Sequence, residues 1–468
     1  MVLLGPSRAA AQNLGQEAEG LRSPDANKRA RAARELARSS DPSSLATLGK
    51  LVSDPSPKVR REAVLSLSAI RASQVLDPLI TATRDQDAKV RSLAIEALAG
   101  YYSGEGPGGG IVGFWQKTWG RAKGRFVEDN LRVDPGVPVA PKVVTALVAA
   151  LNDPTLVGPA REAAAALGIL LAREAVPDLV KAAYSPDVGL AVEALDALAK
   201  IQDRSAGPQL LNLLDSESKD VKQRAGVTVG ILKVQEAVAK LQAIYEHNPD
   251  KGTRARALEG LAYLGNPASL PIFHRALWRS EDELRIFGAE GLGRAGQAES
   301  VPDLEKAALA DPNADARLAI AFAITSLGKM DHLNDLVAEL DSRQRGNVAE
   351  AYLVELARKP QFLSRLYPFL DSGRAGVRRG LCMVLMYAGD ASSIPPLEKL
   401  SQDPNADVAT EALRALRAVR LRAGWQSAPD GENSRQHSES IPPTGSRAVD
   451  PRPPGIVRVC GGVIKFGF

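Results

Sequence analysis

One pattern recurs along most of this chain and constrains the fold more than any other feature of the sequence. An apolar, helix-like stretch ends on Asp, Ser or Asn, Pro often follows, and a second apolar stretch begins. We call the residue that ends the first stretch the anchor. The anchors are Ser23, Asp54, Asp85, Asp153, Ser185, Asp215, Asn248, Ser280, Asp311, Asp341, Asp371 and Asp403. All but one of the intervals between successive anchors are close to the same length, and a fixed period of about 31 residues indicates a solenoid of stacked units.

Each position relative to the anchor has a physical interpretation. Pro stands one residue later in seven of twelve repeats, where it stops the first helix. Asp, Asn, Ser or Thr stands two residues later in nine repeats, as expected for a helix N-cap. Apolar residues recur ten and thirteen positions after the anchor, as in Val64 and Leu67, so they share a helix face. Each unit is therefore predicted to be a helical hairpin with one buried side.

The motif Asp-Pro-x-x-x-Val-Arg-x-x-Ala at residues 54–63 identifies a family resemblance. Related versions begin at Asp85, Asp311 and Asp403. This motif resembles the bacterial HEAT-like repeats of the phycobilin-lyase (PBS-lyase) type, and the likeness covers residues 20–422. The resemblance implies an all-α fold, a right-handed α-solenoid of about twelve helical hairpins whose second helices line the concave face. It is specific for the fold and carries little information about function.

The longest interval contains an insertion. The interval between Asp85 and Asp153 is longer than two repeats. The residues in excess of one repeat form an insertion at 103–138. If its centre is helical, aromatic residues fall on one face and basic residues on the other. The candidate partner-binding residues are Trp115, Lys117, Trp119, Arg121, Lys123, Arg125 and Phe126. A basic aromatic element of this kind can dock a protein partner or an anionic membrane surface, or it can be a lid that packs on neighbouring repeats.

Arginine recurs six residues after the anchor in five repeats, at Arg29, Arg60, Arg91, Arg254 and Arg317. Stacked repeats bring such residues into a row. The row permits two interpretations. Arg60, Arg91, Arg254 and Arg317 are candidates for binding acidic peptides or phosphates on the concave face. Alternatively, the arginines form an internal ladder with the turn aspartates of neighbouring repeats, and the recurrence of Arg in register with Asp favours the ladder.

The sequence contains no constellation that predicts catalysis. The two cysteines, Cys382 and Cys460, lie far apart and four histidines are scattered, so we predict no catalytic residues, no cofactor and no metal site. Two G-x-G-x-x-G strings begin at Gly108 and Gly291. Neither follows a predicted strand, as a dinucleotide site requires. The second string lies within a repeat helix and its end.

The two ends of the chain differ from the repeats. Residues 1–19 have a short apolar start and the string Ala-Ala-Ala-Gln, which suggests a truncated signal peptide. Residues 423–468 are rich in Pro, Gly and Ser, so we predict a disordered tail after the 20–422 solenoid. The last stretch of this tail resembles the segment that leads into the carboxy-terminal domain of TonB-type energy-transduction proteins. Both features favour a bacterial periplasmic or cell-envelope location over the cytoplasm.

These observations predict a non-catalytic protein–protein interaction scaffold that binds another protein through the concave face and the 103–138 insertion. The family resemblance implies one alternative, a phycobilin-lyase-like chromophore lyase or lyase subunit. A membrane-surface or nucleic-acid-binding solenoid is a further alternative. The formal net charge of +4, from 59 basic and 55 acidic residues, disfavours nucleic acid. A small-molecule substrate is also disfavoured, because an open groove does not enclose one.

Overall fold

The repeat pattern is realised as stacked helical hairpins. A computed structural model describes residues 20–38, 42–103 and 132–424, and every regular element in these ranges is helical. Twelve second helices lie within them, and eleven follow a described first helix. The predicted all-α solenoid of about twelve hairpins is thereby confirmed. In the same part of the chain, no helix is both long and apolar enough to cross a membrane.

The helices are numbered in chain order. The second helices are α1 (Ala26–Leu36), α3 (Pro57–Ser68), α5 (Ala88–Ser103), α7 (Val157–Ile169), α9 (Val188–Ile201), α10 (Lys219–Ile231), α12 (Lys251–Leu264), α14 (Asp282–Ala295), α16 (Ala314–Ser326), α18 (Gly346–Ala357), α20 (Ala375–Ala388) and α22 (Ala406–Arg422). The first helices are α2 (Pro42–Leu51), α4 (Leu76–Ala82), α6 (Pro141–Leu151), α8 (Val176–Ala183), the 3₁₀ helix Arg204–Asp215, α11 (Val238–His247), α13 (Leu270–Ala276), α15 (Val301–Ala310), α17 (Leu333–Glu339), α19 (Pro360–Leu366) and α21 (Ile394–Leu400).

Many of the second helices begin at an N-cap residue whose side chain binds a backbone N–H. Asp187 accepts from the backbone N–H of Leu190 at 2.7 Å, and Asp250 accepts from that of Thr253 at 2.8 Å. These bonds satisfy amide groups that have no partner inside the helix. The N-cap position predicted two residues after the anchor is confirmed at both sites. It is wrong at Asp282, which is the first residue of α14 and follows its N-cap Glu281.

A continuous apolar core connects the repeats. The largest cluster of buried hydrophobic residues runs from Ala33 to Val419. Val64, Leu67 and Leu98, which are predicted to line it, are fully buried, whereas Leu413, predicted at the same position of the last repeat, is 57% exposed. Each hairpin covers the apolar side of its neighbour, because a single hairpin has nothing else to pack against.

Small residues let second helices approach closely. The G-x-G-x-x-G string at 291–296 lies in α14 and its C-cap, as expected. A Cβ built on Gly291 would stand 2.4 Å from the Phe273 ring, and one on Gly293 would stand 2.6 Å from the Ala323 Cα. Both glycines are therefore required for helix packing. Packing explains this motif, and a nucleotide-binding role is not needed to explain it.

A column of left-handed residues ends the second helices of six consecutive repeats. The residues are Leu171, Gln202, Lys233, Gly265, Gly296 and Gly328, with φ between 53° and 100°. They follow one another at the repeat period. Only glycine adopts this conformation without steric cost. The first three repeats of the column therefore carry strained residues where the last three carry glycine.

Replacement of Gln202 by Gly is expected to stabilise the protein. Gln202 is exposed and has φ 56°, so the change removes backbone strain and little packing. We expect a gain of about 0.5–1 kcal/mol, measured as a higher midpoint in urea unfolding. Gly296→Ala at φ 77° is the opposite control and should lower the midpoint. A lower midpoint for Gln202→Gly would contradict the assigned left-handed cap.

Candidate functional site

Arginine and aspartate side chains join the turns of adjacent repeats. Arg60 donates from Nε and Nη2 to the two carboxylate oxygens of Asp85, at 2.6 and 2.7 Å. Its Nη1 donates to the Asp54 carbonyl of its own turn at 2.9 Å. Asp85 also accepts from the Asp87 N–H at 2.8 Å. One ion pair therefore fixes a turn and joins it to the next repeat.

This arrangement, which we call the ladder, recurs along the solenoid. Its pairs are Arg29–Asp54, Arg60–Asp85, Arg91–Asp153, Arg285–Asp311 and Arg378–Asp403. Arg91 and Asp153 lie on either side of the insertion, so the ladder keeps these two repeats in register. Arg378 lowers the pKa of Asp403 below its ordinary value, mainly through its side-chain hydrogen bond. This pair is therefore intact at neutral pH and weakens as pH falls through the lowered value of Asp403.

The four arginines predicted as concave-face candidates lie in the first turn of their second helices, and their side chains bind groups of the inter-helix turns. Arg60 and Arg91 pair with aspartates of the following repeat. Arg254 donates to the carbonyls of Asn248 and Pro249 at 2.8 and 3.2 Å. Arg317 makes the same bonds to its own turn, at 2.9 and 3.0 Å. Their guanidinium groups thus stabilise turns and repeat contacts.

The candidate residues of the insertion fall outside the part of the chain that the structure describes. They are Trp115, Lys117, Trp119, Arg121, Lys123, Arg125 and Phe126. The ends of the described chain on either side are Ser103, the last residue of α5, and Arg132.

A cluster of charged and aromatic side chains extends over five consecutive second-helix units. Arg294, at its centre, donates from Nε to Glu355 Oε1 and from Nη2 to Glu355 Oε2, both at 2.9 Å. Its Nη1 donates to Glu290 at 3.0 Å. The guanidinium lies 4.7 Å from the Tyr263 ring centroid and 5.2 Å from that of Phe322. The Arg294 cluster consists of Lys233, Tyr263, Glu290, Arg294, Phe322, Tyr352 and Glu355.

The other members of the cluster add two hydrogen bonds and a contact between rings. The Tyr352 hydroxyl donates to Glu290, and its ring stacks on Phe322 at 4.4 Å between centroids. Lys233 donates to the Tyr263 carbonyl. The cluster therefore binds helices α12, α14, α16 and α18 to the end of α10. Sequence reasoning missed it, because its central ion pair joins residues that are not one repeat period apart.

Burial and charge act in opposite directions on these groups. Burial alone would lower the pKa of Arg294, but Glu355 and Glu290 raise it well above its ordinary value. Burial alone would raise the pKa of Glu355, but Arg294 lowers it. Burial, aided by Arg294, lowers the pKa of Lys233 to about 8. The Arg294 guanidinium therefore stays charged although it is buried. The nearby Lys233 ammonium loses its proton more readily than an exposed lysine does.

Two buried glutamates have raised pKa values. Glu96 on α5 and Glu162 on α7 are each 9% exposed. Each has a buried Oε2 without a hydrogen-bond partner among the described residues. Burial, and then repulsion by Glu162, raises the pKa of Glu96 to about 9. Burial also raises the pKa of Glu162. Glu96 is therefore protonated at neutral pH.

The segment that follows the insertion connects distant repeats. In this bridging segment, residues 132–140, the Val133 N–H donates to the Ile169 carbonyl at 2.8 Å. Asp134 accepts two bonds from Arg414 on the last helix, at 2.6 and 3.0 Å. These contacts join the fourth repeat to the twelfth, which is distant in sequence. Among the described residues no three His, Cys, Asp or Glu side chains are arranged to hold a metal ion.

Comparison with known proteins identifies the family. The family model described as HEAT repeats matches residues 17–99, 176–255 and 238–325. Together with the stacked hairpins, this match shows that the chain belongs to the HEAT-repeat family. The resemblance deduced from the Asp-Pro motif is thereby confirmed. None of the curated proteins matches the sequence.

Several solved structures are similar to this chain. An engineered protein is 19% identical, with 87% of this chain and 99% of that chain covered and a TM-score of 0.34. The complex of CpcE and CpcF of phycocyanin lyase from Nostoc sp. is 19% identical, with 54% and 94% covered and a TM-score of 0.34. The karyopherin Kap121p bound to the extreme C-terminus of the protein phosphatase Cdc14p is 12% identical, with 89% and 50% covered and a TM-score of 0.40.

A double-mutant cycle on Arg285 and Asp311 tests the ladder. Their side chains are 11% and 4% exposed, so we expect a coupling of about 1.5–3 kcal/mol between Arg285→Ala and Asp311→Ala in unfolding free energy. The exposed pair Arg275–Glu246 is the control and should couple much more weakly. Equal coupling in the two pairs would show that the ladder adds no special stability.

Glu96→Gln is expected to stabilise the protein in a pH-dependent way. In the unfolded chain this carboxyl loses its proton near its ordinary value of 4.5, but in the folded chain it does so near 9. Stability therefore falls as pH rises through that window, and glutamine removes the loss. The melting temperature of the variant should exceed that of the parent at pH 8 and equal it at pH 4. Glu217→Gln, at an exposed site, should change neither value. A variant less stable at pH 8 would instead reveal a counter-charge at Glu96.

Proposed function

We propose that this HEAT-repeat protein is a non-catalytic scaffold that binds another protein through the face of its second helices and the 103–138 insertion. The observation that carries the proposal is the continuous stack of second helices, five of which the largely buried Arg294 cluster holds together. In the resembled family this face is the concave one. A long regular surface suits an extended protein partner better than a small substrate.

The rigidity of the stack supports the same proposal. Arg294 and Tyr352 are buried, so the Arg294 cluster holds the second helices together from within. The ladder and the bridging segment hold the helices in fixed positions. A preformed surface loses less entropy when it binds a partner. The insertion adds four basic residues without an acid over 114–127.

No described residue adds support to the other candidates. The chromophore-lyase alternative depends on the repeat resemblance alone. The nucleic-acid alternative would require an excess of positive charge, whereas the charged side chains described above are largely paired within the protein. A membrane-surface role for 111–127 depends only on the sequence of the insertion. Protein binding is therefore the function to test first.

Charge reversal in the insertion tests the scaffold directly. Lys117, Arg121, Lys123 and Arg125 are changed together to Glu, which preserves the length of the chain and the bridging segment. Partners are then recovered from native lysate by cross-linking and quantified by mass spectrometry. We expect recovery of the main partner to fall at least tenfold, because the docking charges are inverted.

The matched control reverses four exposed lysines elsewhere, Lys28, Lys50, Lys89 and Lys181. It has the same net charge as the test variant and should retain the partner. Equal loss in both variants would mean that net charge alone governs recovery. No specific partner with the unmodified chain would refute the scaffold.

A further inference from the structure

An open cavity lies between the bridging segment and the fourth repeat. Its volume is about 540 Å³, which is within the range of small-molecule sites. Val133 and Val137 of the bridging segment form one wall, and Val144 and Val148 of α6 form another. Leu171, after α7, completes the apolar lining. The cavity is distinct from the Arg294 cluster and plays no part in the proposed scaffold function.

The walls of this cavity are fixed by bonds at both ends. The Val133 N–H donates to the Ile169 carbonyl at 2.8 Å, at the end of α7. The Ala140 N–H donates to the Tyr102 hydroxyl at 3.1 Å. Asp134, which also lines the cavity, is held by Arg414. Because the bridging segment is tied to three separate helices, the cavity is preformed and not a gap under a loose loop.

Leu171 forms part of the cavity wall in a strained backbone conformation. It has φ 53°, in the left-handed column where later repeats carry Gly265, Gly296 and Gly328. This conformation is sterically unfavourable for a leucine. Gln202 and Lys233 share this conformation at the same place in the next two repeats. Here the strain places a large apolar side chain against the cavity.

The charges at the cavity are all of one sign. Its only ionisable lining residues are Asp134, Glu174 and Asp178, and no Lys, Arg or His lines it in the described chain. Arg414 neutralises Asp134. Asp178 accepts a neutral hydrogen bond from Asn152 at 2.7 Å, and Glu174 is exposed. The exposed Glu174 and the half-buried Asp178 therefore lie beside an apolar cavity without a counter-ion among the lining residues.

We propose that this cavity binds a small organic cation, a free molecule with an apolar body and an ammonium or guanidinium group. The apolar body enters between Val144, Val148 and Leu171. The cationic group lies at the carboxylates of Glu174 and Asp178. Neither the repeat family nor the scaffold function requires such a site.

The test uses the full-length chain and three probes of similar size. They are 2-phenylethylammonium, 2-phenylethanol and phenylacetate, which differ mainly in charge, and binding is measured by NMR titration of the valine and leucine methyl groups. We expect saturable binding of the cation, about three- to tenfold tighter than the neutral probe. Phenylacetate should bind most weakly. No saturable binding of the cation, or an anion that binds as tightly, overturns the proposal.

Variants then locate the site. Thr145 lines the cavity and is exposed, so Thr145→Trp should fold normally and block all three probes. Glu174→Gln with Asp178→Asn should remove the preference for the cation but keep binding of the neutral probe. Glu236→Gln is the matched control, because Glu236 occupies the place of Glu174 two repeats later. Cation binding unaffected by Thr145→Trp, or reduced equally by Glu236→Gln, would show that the cavity is not the site.

Discussion

The ion pair between an arginine of one repeat and the turn aspartate of the next is the interaction on which the stack depends. A helical hairpin of about 31 residues buries one side only when a neighbour covers it. Hydrophobic contact is non-directional and tolerates sliding, whereas a bidentate guanidinium–carboxylate pair has one geometry. Asp85 shows the consequence. It accepts from Arg60 and from the Asp87 N–H, so the shape of the turn and the register of the repeats are set together.

The same ion pair explains how the chain tolerates its insertion. Arg91 precedes the insertion and Asp153 follows it, yet the two form a ladder pair, so α5 and α7 stack as neighbours. After the insertion, the bridging segment contacts both α7 and the last helix through Val133 and Asp134. The segment thereby fixes a connection between the fourth and twelfth repeats. Any partner that binds the insertion would act on a region already tied to the end of the solenoid.

The sequence predicts the fold because the repeated features are local. Helix ends, caps and apolar faces depend on neighbouring residues, and these recur in register at Asp54, Asp311 and Asp403. The prediction is less accurate where the register shifts. Arg285 and Arg378 belong to the ladder but do not fit the predicted position for arginine. Arg285 lies six residues after Arg279, and Arg378 lies six residues after Ser372. Arg279 and Ser372 are each one position away from the assigned anchor.

The candidate site is less predictable for a different physical reason. Arg294 and Glu355 meet only through the stacking of α14, α16 and α18, and Asp134 meets Arg414 across most of the chain. Neither distance corresponds to one repeat period. The cavity between the bridging segment and the fourth repeat likewise depends on the path of that segment, which has no repeat to mark it. Sequence patterns indicate which helices stack, but not which side chains converge after the solenoid has formed.

Hydrogen–deuterium exchange on Asp85→Asn tests the central role of the ladder most directly. Asparagine preserves the acceptor for the Asp87 N–H and removes the charge that binds Arg60. If the ladder joins neighbouring repeats, amides of α3 and α5 should exchange faster, while those of α20 and α22 should keep the parental rate. Unchanged exchange in α3 and α5 would contradict the account, because apolar packing alone would then hold the repeats in register.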